Sequence, residues 1–211
     1  MNRIGIFGTS GMAREAGDIA WALGLEPVYV AREESDLASW SFSAQVILEQ
    51  DIKRYPEMSF VVGIAESSIR KAIARRFRDQ LRFTNLIHPS ATFGVAQRVV
   101  LDSCIGTIVA AGARFTSGIS IGDFCIFNQN TTIAHDSVVG NFVHVAPGAN
   151  VSGNVHLQDG CWIGAGAVIN QGNPTSKLTV GYNTVVGSGA VVANDCDSNA
   201  VYVGVPAKRI K

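Results

Sequence analysis

The chain has 211 residues with 17 basic and 17 acidic side chains, and charged residues make up 16% of it. This balance excludes the electrostatic footprint of nucleic-acid or anionic-membrane binding, so we expect a small, neutral, soluble partner. No apolar run approaches the roughly 20 residues of a membrane span, which predicts a cytoplasmic protein. The four cysteines form no C-x-x-C pair, which fits reduced thiols.

Residues 1–88 alternate strand-like and helix-like patterns. Strands that alternate with helices predict a small α/β domain with a parallel, Rossmann-like sheet. The predicted strands are residues 3–7, 27–30, 60–63 and 83–88, and the predicted helices are residues 12–23 and 67–79. The rhythm changes at His88, where we place the boundary with a second domain, residues 89–211.

Three glycines, Gly5, Gly8 and Gly11, form G-x-x-G-x-x-G between the first strand and the first helix. Free backbone N–H groups and the helix dipole favour phosphate in this context, so we expect a phosphate-bearing ligand. The alternative is that the glycines only let the helix pack against the strand. A redox enzyme with Arg32 at a cofactor phosphate is disfavoured, because the chain has no Tyr-x-x-x-Lys pair.

A six-residue repeat runs through the second domain. Every sixth residue from Val109 to Ile169 is large and apolar, and the residue two positions earlier is small or β-branched. An α-helix cannot present a six-residue period on one face, whereas a coil of short strands joined by tight turns can. The phase breaks at residues 170–178, which predicts a projecting loop, and the repeat resumes at Val180.

The repeat resembles the signature of the hexapeptide-repeat acyltransferases: an aliphatic residue, often Gly, two variable residues and a small one. Clean copies are residues 121–125 (Ile-Gly-Asp-Phe-Cys), 139–143 (Val-Gly-Asn-Phe-Val) and 163–167 (Ile-Gly-Ala-Gly-Ala). The resemblance implies a left-handed parallel β-helix with three hexapeptides, and so about 18 residues, in each triangular coil.

Acyl transfer requires a base and a group that holds the thioester oxygen as it becomes negative. His135 is followed by Asp136, and a carboxylate beside an imidazole can fix its tautomer. Neighbouring strand residues face opposite ways, so this pairing requires a turn. Gly153 follows His135 by one coil, at about 4.8 Å, where its N–H could address a thioester carbonyl.

Other interpretations of the titratable residues are less favourable. His88 and His156 are expected to be solvated surface residues. Zinc-dependent carbonic anhydrases with this type of β-helix pair two histidines five apart, a spacing that this chain lacks, so we expect no metal. Cys125 and Cys161 fall in the small-residue series, which favours core packing over nucleophilic catalysis.

A narrower resemblance covers essentially the whole chain. An α/β domain with a glycine turn, a β-helix with His-Asp and a second histidine nine residues later, and a terminal Val-Gly-x-Pro-Ala are similar to the NeuD/PglD family of sugar O- and N-acetyltransferases. The matching pieces are residues 8–11 (Gly-Thr-Ser-Gly), 135–136 (His-Asp), 144–145 (His-Val), 153–154 (Gly-Asn) and 203–208 (Val-Gly-Val-Pro-Ala-Lys).

This likeness implies a role for each matching residue. His135 would be the general base and Asp136 its orienting partner, while His144 and the Gly153 N–H would contact the acetyl-CoA thioester. Residues implied to line the cofactor groove are Ala165, Ser188, Pro206 and Ala207. Residues expected to contact the nucleotide-linked sugar are Gly8, Ser10, Gly11, Met12, Arg32 and Gly63. The family also implies a homotrimer with each active site between two β-helices.

Two departures from the family pattern concern the nucleotide. Some amino-sugar members carry an acidic pair after the second strand, where this chain has Ala31 and Arg32. Relatives often place Asn or Asp after the third-strand glycine, where Gly63 is followed by Ile64. The sequence therefore leaves the nucleotide base open.

The expected function is transfer of acetyl from acetyl-CoA to the amine of a nucleotide-activated amino-deoxy sugar, supplying precursors for surface polysaccharide or glycoprotein glycans. One alternative is O-acetylation of a sialic acid or related sugar hydroxyl, which the same base could serve. Another is a non-enzymatic β-helix scaffold that binds a nucleotide or partner chains.

Overall fold

The computed structural model describes residues 2–38 and 40–211; Met1 and Ser39 lie outside it. Its first part is a parallel sheet with strand order β3-β2-β1-β4-β5. The strands are β1 (Arg3–Phe7), β2 (Glu26–Ala31), β3 (Val46–Leu48), β4 (Ser59–Val62) and β5 (Arg82–Phe83). The helices are α1 (Gly11–Ala22), α2 (Glu34–Ala38), α3 (Ser67–Phe77) and a 3₁₀ helix (Glu49–Arg54).

The second part is a β-helix of two- and three-residue strands, in which helix α4 (Gln97–Ser103) interrupts the first coil. Its strands are β6 (Leu86–Ile87), β7 (Thr92–Phe93), β8 (Ile108–Val109), β9 (Arg114–Phe115), β10 (Ser120–Ile121), β11 (Ile126–Phe127), β12 (Thr132–Ile133), β13 (Val138–Val139), β14 (His144–Val145), β15 (Asn150–Val151), β16 (Val155–Leu157), β17 (Trp162–Ile163), β18 (Val168–Ile169), β19 (Leu178–Val180), β20 (Val185–Val186), β21 (Val191–Val192), β22 (Val201–Val203) and β23 (Lys208–Arg209).

These strands form three faces. Face 1 contains β6, β8, β11, β14, β17, β20, β22 and the antiparallel β23; face 2 contains β7, β9, β12, β15, β18 and β21; face 3 contains β10, β13, β16 and β19. Ile126 pairs in parallel with Ile108 on one side and His144 on the other, a step of 18 residues each time. The predicted fold class, an α/β domain followed by a left-handed parallel β-helix of hexapeptide repeats, is confirmed.

The β-helix core consists of the large apolar residues of the repeat. On face 1 the second residue of each strand from β8 to β20 points inward, and Phe127, Val145 and Ile163 are completely buried. The first residues of β6, β8 and β11 point outward and share an apolar cluster with α1 of the sheet domain. Face 1 is therefore the surface on which the α/β domain sits.

The prediction of one strand over residues 83–88 is wrong. Arg82–Phe83 pairs with β4 in the open sheet, whereas Leu86–Ile87 pairs with β8 on face 1. Because Leu86 and Ile87 lie one coil step before their partners, the β-helix begins slightly before His88. The strand β3, the helices α2 and α4 and the 3₁₀ helix were not predicted.

The loop predicted at residues 170–178 interrupts the coil between faces 2 and 3. Leu157 pairs with Val180, a step of 23 residues rather than 18, so five extra residues are accommodated at this corner. Among the described residues, no helix has the length and apolar character needed to cross a membrane.

All four cysteines are buried and free. Burial raises the pKa of Cys125 and Cys161 to about 12 and that of Cys196 to about 11. We expect a native sample at pH 8 to react with Ellman's reagent at well below one thiol per chain within minutes, since the thiolate is the reactive form, and at all four thiols after unfolding in guanidinium. Rapid stoichiometric labelling of the native protein would contradict this buried, structural role.

Candidate active site

The corner between β12 and β13 holds the predicted His135–Asp136 pair. The Nδ1 of His135 lies 2.9 Å from Oδ2 of Asp136. Asp136 has a left-handed backbone (φ 60°), which an Asp tolerates better than most residues, and this turn brings two consecutive side chains together. With Nδ1–H donating to the carboxylate, Nε2 carries the lone pair and can accept a proton. The side chain of His135 is 49% exposed, so a substrate can reach it.

Gly153 lies directly against the ring of His135, one coil later. A Cβ at this position would be 2.4 Å from both Cε1 and Nε2 of the imidazole, so the space allows no side chain. The N–H of Gly153 donates to no acceptor among the described residues. A free N–H beside the base can bind an oxygen that becomes negative during acyl transfer.

Lys177 and Asn154 complete this corner, and the sequence analysis did not single out either side chain. Lys177 Nζ donates to the carbonyl of Asp136 and, at 2.8 Å, to Oδ1 of Asn154. Asn154 donates its backbone N–H to the His135 carbonyl at 2.7 Å and its side-chain amide to Asn173 at 2.6 Å. The loop at residues 170–178 therefore places an ammonium beside the His135–Asp136 pair. The break in the repeat predicts the position of the loop. The length of the loop does not show which coil it contacts.

His144 lies elsewhere in the chain, on β14 of face 1. Its ring is 2% exposed and stacks on Trp162 with centroids 4.1 Å apart. Nε2 lies 3.2 Å from the side-chain amide nitrogen of Asn128, and Nδ1 has no partner among the described residues. Burial, with a smaller effect of the Arg70 charge, lowers the pKa of His144 from 6.5 to about 3. His144 is a neutral imidazole, and the fold does not bring it to His135 within one chain.

The residues implied for the cofactor groove lie along another edge. Ala165 and Ser188 are exposed at the corner between faces 1 and 2 on neighbouring coils, where Gly189 N–H donates to the Ala165 carbonyl at 2.9 Å. Pro206 is exposed, and Ala207 N–H donates to Val191 of face 2 at 2.7 Å. This edge and the His135 corner border the two sides of face 2.

The glycine turn opens into a cavity of about 520 Å³ in the α/β domain. It lies at the carboxyl ends of β1 and β2, beside the point where the strand order reverses between β1 and β4, which is where open α/β sheets bind ligands. Three predicted contact residues, Gly8, Ser10 and Arg32, line it. Gly8 has φ 110°, a conformation that L side chains rarely adopt.

The other three residues expected there lie outside the lining of this cavity. Gly11 begins α1, and Met12 is 8% exposed within the apolar cluster that joins α1 to face 1. Gly63 packs tightly, because a Cβ there would be 2.8 Å from Ala13 Cα.

Both signs of charge line the cavity. Arg32 and Arg76 provide cations, and Asp36 and Glu49 provide carboxylates, with Arg76 paired to Glu49. Asp36 accepts the Arg32 N–H at 3.1 Å. A carboxylate thus reaches the cavity from α2. Within the described part of the chain, no cluster of three or more potential metal ligands is found.

The chain is similar to known proteins in both sequence and structure. No family model matches the chain. The GDP-perosamine N-acetyltransferase of Escherichia coli O157:H7 is 28% identical over 158 residues, covering 74% of this chain and 70% of that protein. WeeI of Acinetobacter baumannii AYE superposes with a TM-score of 0.87 at 26% identity, over 99% of this chain and 100% of that one. The acetyltransferase domain of PglB from Neisseria gonorrhoeae FA1090, in complex with acetyl coenzyme A, has a TM-score of 0.84 at 27% identity over 100% of both chains.

We expect Gly153→Ala to lower kcat by about 10- to 100-fold with little effect on folding, because the new methyl group displaces the His135 ring and misplacement of a reacting group by about 1 Å has an effect of this size. Steady-state kinetics and thermal unfolding measure the two effects. Gly24→Ala is the control: it meets no atom within 4 Å but has φ 71°, so it should lower stability and leave kcat unchanged. Full activity of Gly153→Ala would contradict the arrangement.

The lowered pKa of His144 predicts a pH-dependent stability. The unfolded chain takes up a proton at His144 near pH 6.5 and the folded chain only near pH 3, so the free energy of unfolding falls as pH decreases below about 6.5. Each pH unit below that point should cost about 1.4 kcal/mol. Urea unfolding at pH 7, 6 and 5 and fixed protein concentration should show a shallower decline for His144→Gln, with His156→Gln as control. Equal slopes in all three proteins would mean that folded His144 takes up the proton.

Proposed function

We propose that this chain, which is similar to sugar acetyltransferases with the hexapeptide-repeat fold, transfers acetyl from acetyl-CoA to the amino group of a nucleotide-activated amino-deoxy sugar. The observation that carries the proposal is His135, oriented by Asp136 and packed against a glycine with a free N–H. In this proposal residues 89–211 perform the transfer and residues 1–88 bind the nucleotide sugar.

The geometry supports a direct transfer without a covalent enzyme intermediate. Asp136 accepts a hydrogen bond from Nδ1–H of His135, which leaves the lone pair of Nε2 to take a proton from the attacking amine. As the amine nitrogen bonds to the thioester carbon, the carbonyl oxygen becomes negative and the Gly153 N–H stabilises it. The C–S bond then breaks, and His135 returns the proton to the CoA sulfur, so the products are an amide and free CoA.

The lining of the cavity in the α/β domain supports a nucleoside diphosphate as the part of the acceptor substrate that this domain binds. Thr9 and Ser10 of the glycine turn line it just before α1 begins, the N-terminal end of a helix favours phosphate, and Arg32 adds a positive charge. The carboxylate of Asp36 provides an acceptor for polar hydrogens of a sugar or base. The E. coli relative acts on GDP-perosamine by name, and a nucleotide-linked amino sugar of this kind is the proposed substrate class.

A homotrimer in the cytoplasm is part of the proposal. The His135 corner and the edge with Ala165 and Ser188 lie on opposite sides of face 2. A neighbouring β-helix that sets its Ala165 edge against this His135 corner would unite the proposed base and the proposed cofactor groove in one site. Three such contacts close a ring, as head-to-tail interfaces can.

Free-thiol release from acetyl-CoA tests the function across UDP-, dTDP- and GDP-linked amino sugars and free sialic acids. We expect release with one nucleotide amino sugar, and a loss of about 10²- to 10⁴-fold in His135→Ala, the range typical of a general base. His156→Ala, on face 3, is the matched control and should keep wild-type turnover. Release only with a hydroxyl acceptor would replace the proposal by O-acetylation. No release with any acceptor, or near-normal turnover of His135→Ala, would contradict it.

A further inference from the structure

A fully buried arginine lies between the two parts of the molecule. Arg70 of α3 is 0% exposed, and none of the ion pairs found among the described residues involves it. Burial lowers its pKa to about 10, so it stays charged at neutral pH. A buried charge without a carboxylate is costly unless hydrogen bonds satisfy its donors.

Backbone carbonyls satisfy the guanidinium of Arg70. Nε donates to Phe124 at 3.0 Å, and Nη2 donates to Phe142 at 2.6 Å and, at 3.4 Å, to Val143. Nη1 donates to Ile64 at 2.9 Å and to Ala65 at 2.6 Å. One side chain thus holds five carbonyls from three separate segments.

The acceptors come from two functional regions. Phe124 and Phe142 lie on successive coils of the β-helix, at the corner between faces 3 and 1, and Val143 directly precedes His144. Ile64 follows β4 and lines the cavity of the α/β domain. Arg70 therefore connects the cavity rim to the coil that carries His144.

Helix α3 is itself a wall of that cavity. Its lining residues are Ser68, Ile69, Ala72, Ile73 and Arg76. Other contacts between this region and the β-helix are the edge-to-face pair of Phe83 and Phe124 at 5.0 Å and an exposed hydrogen bond from Lys71 of α3 to the Tyr182 hydroxyl at 3.2 Å. Apolar contact is not directional, whereas a planar guanidinium with five donors fixes both distance and angle.

From this arrangement we infer that Arg70 is a positioning residue, which sets the nucleotide-sugar cavity at a fixed orientation to the β-helix so that the bound amine meets the acetyl group. The inference rests on the proposed function. Arg70 also contributes to keeping His144 uncharged, which suits a buried imidazole between the two parts. A lysine has three donors on one nitrogen and cannot span the same five carbonyls.

Arg70→Lys and Arg70→Met test this role, with Arg75→Lys and Arg75→Met as controls at an exposed position of the same helix. Calorimetry measures the affinity for acetyl-CoA, which reports on the β-helix. Calorimetry with GDP, UDP and dTDP reports on the cavity, and steady-state kinetics measures the transfer. We expect Arg70→Lys to bind each single ligand within about threefold of wild type but to lose about 10- to 100-fold in kcat, the effect of misaligned reactants. The Arg75 variants should match wild type in every measurement.

Three results would overturn the inference. Wild-type kcat in Arg70→Lys would show that the orientation does not depend on the guanidinium. Loss of nucleotide affinity in parallel with kcat would show that Arg70 shapes the cavity itself. Recovery of full kcat by Arg70→Lys on cooling well below its melting temperature would show that Arg70 acts on stability alone. The same measurement applies to Arg70→Met if that variant is partly unfolded at the assay temperature.

Hydrogen exchange separates this inference from the proposed function. A wild-type protein that acetylates no nucleotide amino sugar would refute the function but leave the docking role open to measurement. In that case faster exchange of Arg70→Lys confined to α3, residues 64–65 and residues 142–144 supports the docking role. Exchange identical to that of wild type overturns it.

Discussion

The step of 18 residues between stacked strands is the constraint on which the rest of the molecule depends. Each residue of the β-helix lies beside the residue one coil earlier, because the parallel ladder repeats in register from Ile108 through Ile126 to His144. This ladder places Gly153 against the imidazole of His135, so no other contact is needed to bring the two residues together. It also aligns the carbonyls of Phe124 and Phe142 so that one guanidinium reaches both. The proposed base, the proposed oxyanion donor and the contact between the two parts of the molecule all derive from the same repeat.

Buried charge and exposed charge serve different ends in this protein. Arg70 is buried and donates only to neutral carbonyls. These hydrogen bonds offset the desolvation cost of its charge, and they fix a geometry that apolar packing cannot fix. His144 is enclosed as a neutral ring, held by a stacked Trp162. His135 and Asp136 are half-exposed, as the proposed proton transfer between His135 and a substrate requires. Position in the coil, rather than residue type, separates a buried, neutral histidine from an accessible one.

Much of this arrangement could be predicted from the sequence. The predictions that were wrong or missing have physical reasons. Hexapeptide periodicity predicted the coil, and the 18-residue step predicted the contact of Gly153 with His135. The strand over residues 83–88 was misjudged because both Phe83 and Leu86 are apolar and only their different partners separate them. Lys177 and Arg70 were missed because their acceptors lie on distant segments and include backbone carbonyls, which every residue type has. Asp36 was missed because it reaches the cavity from a helix rather than from the strand end.

The five extra residues at residues 170–178 show how this architecture accommodates change. The extra residues lie in a loop at one corner, and Leu157 still pairs with Val180 on the next coil. A coil of this kind therefore separates two kinds of variation: substitutions within strands alter the stack, whereas insertions at corners leave it in phase. Because this corner borders the His135–Asp136 pair, loops of different length and composition can vary there while the pair and the coil that carries it keep their positions.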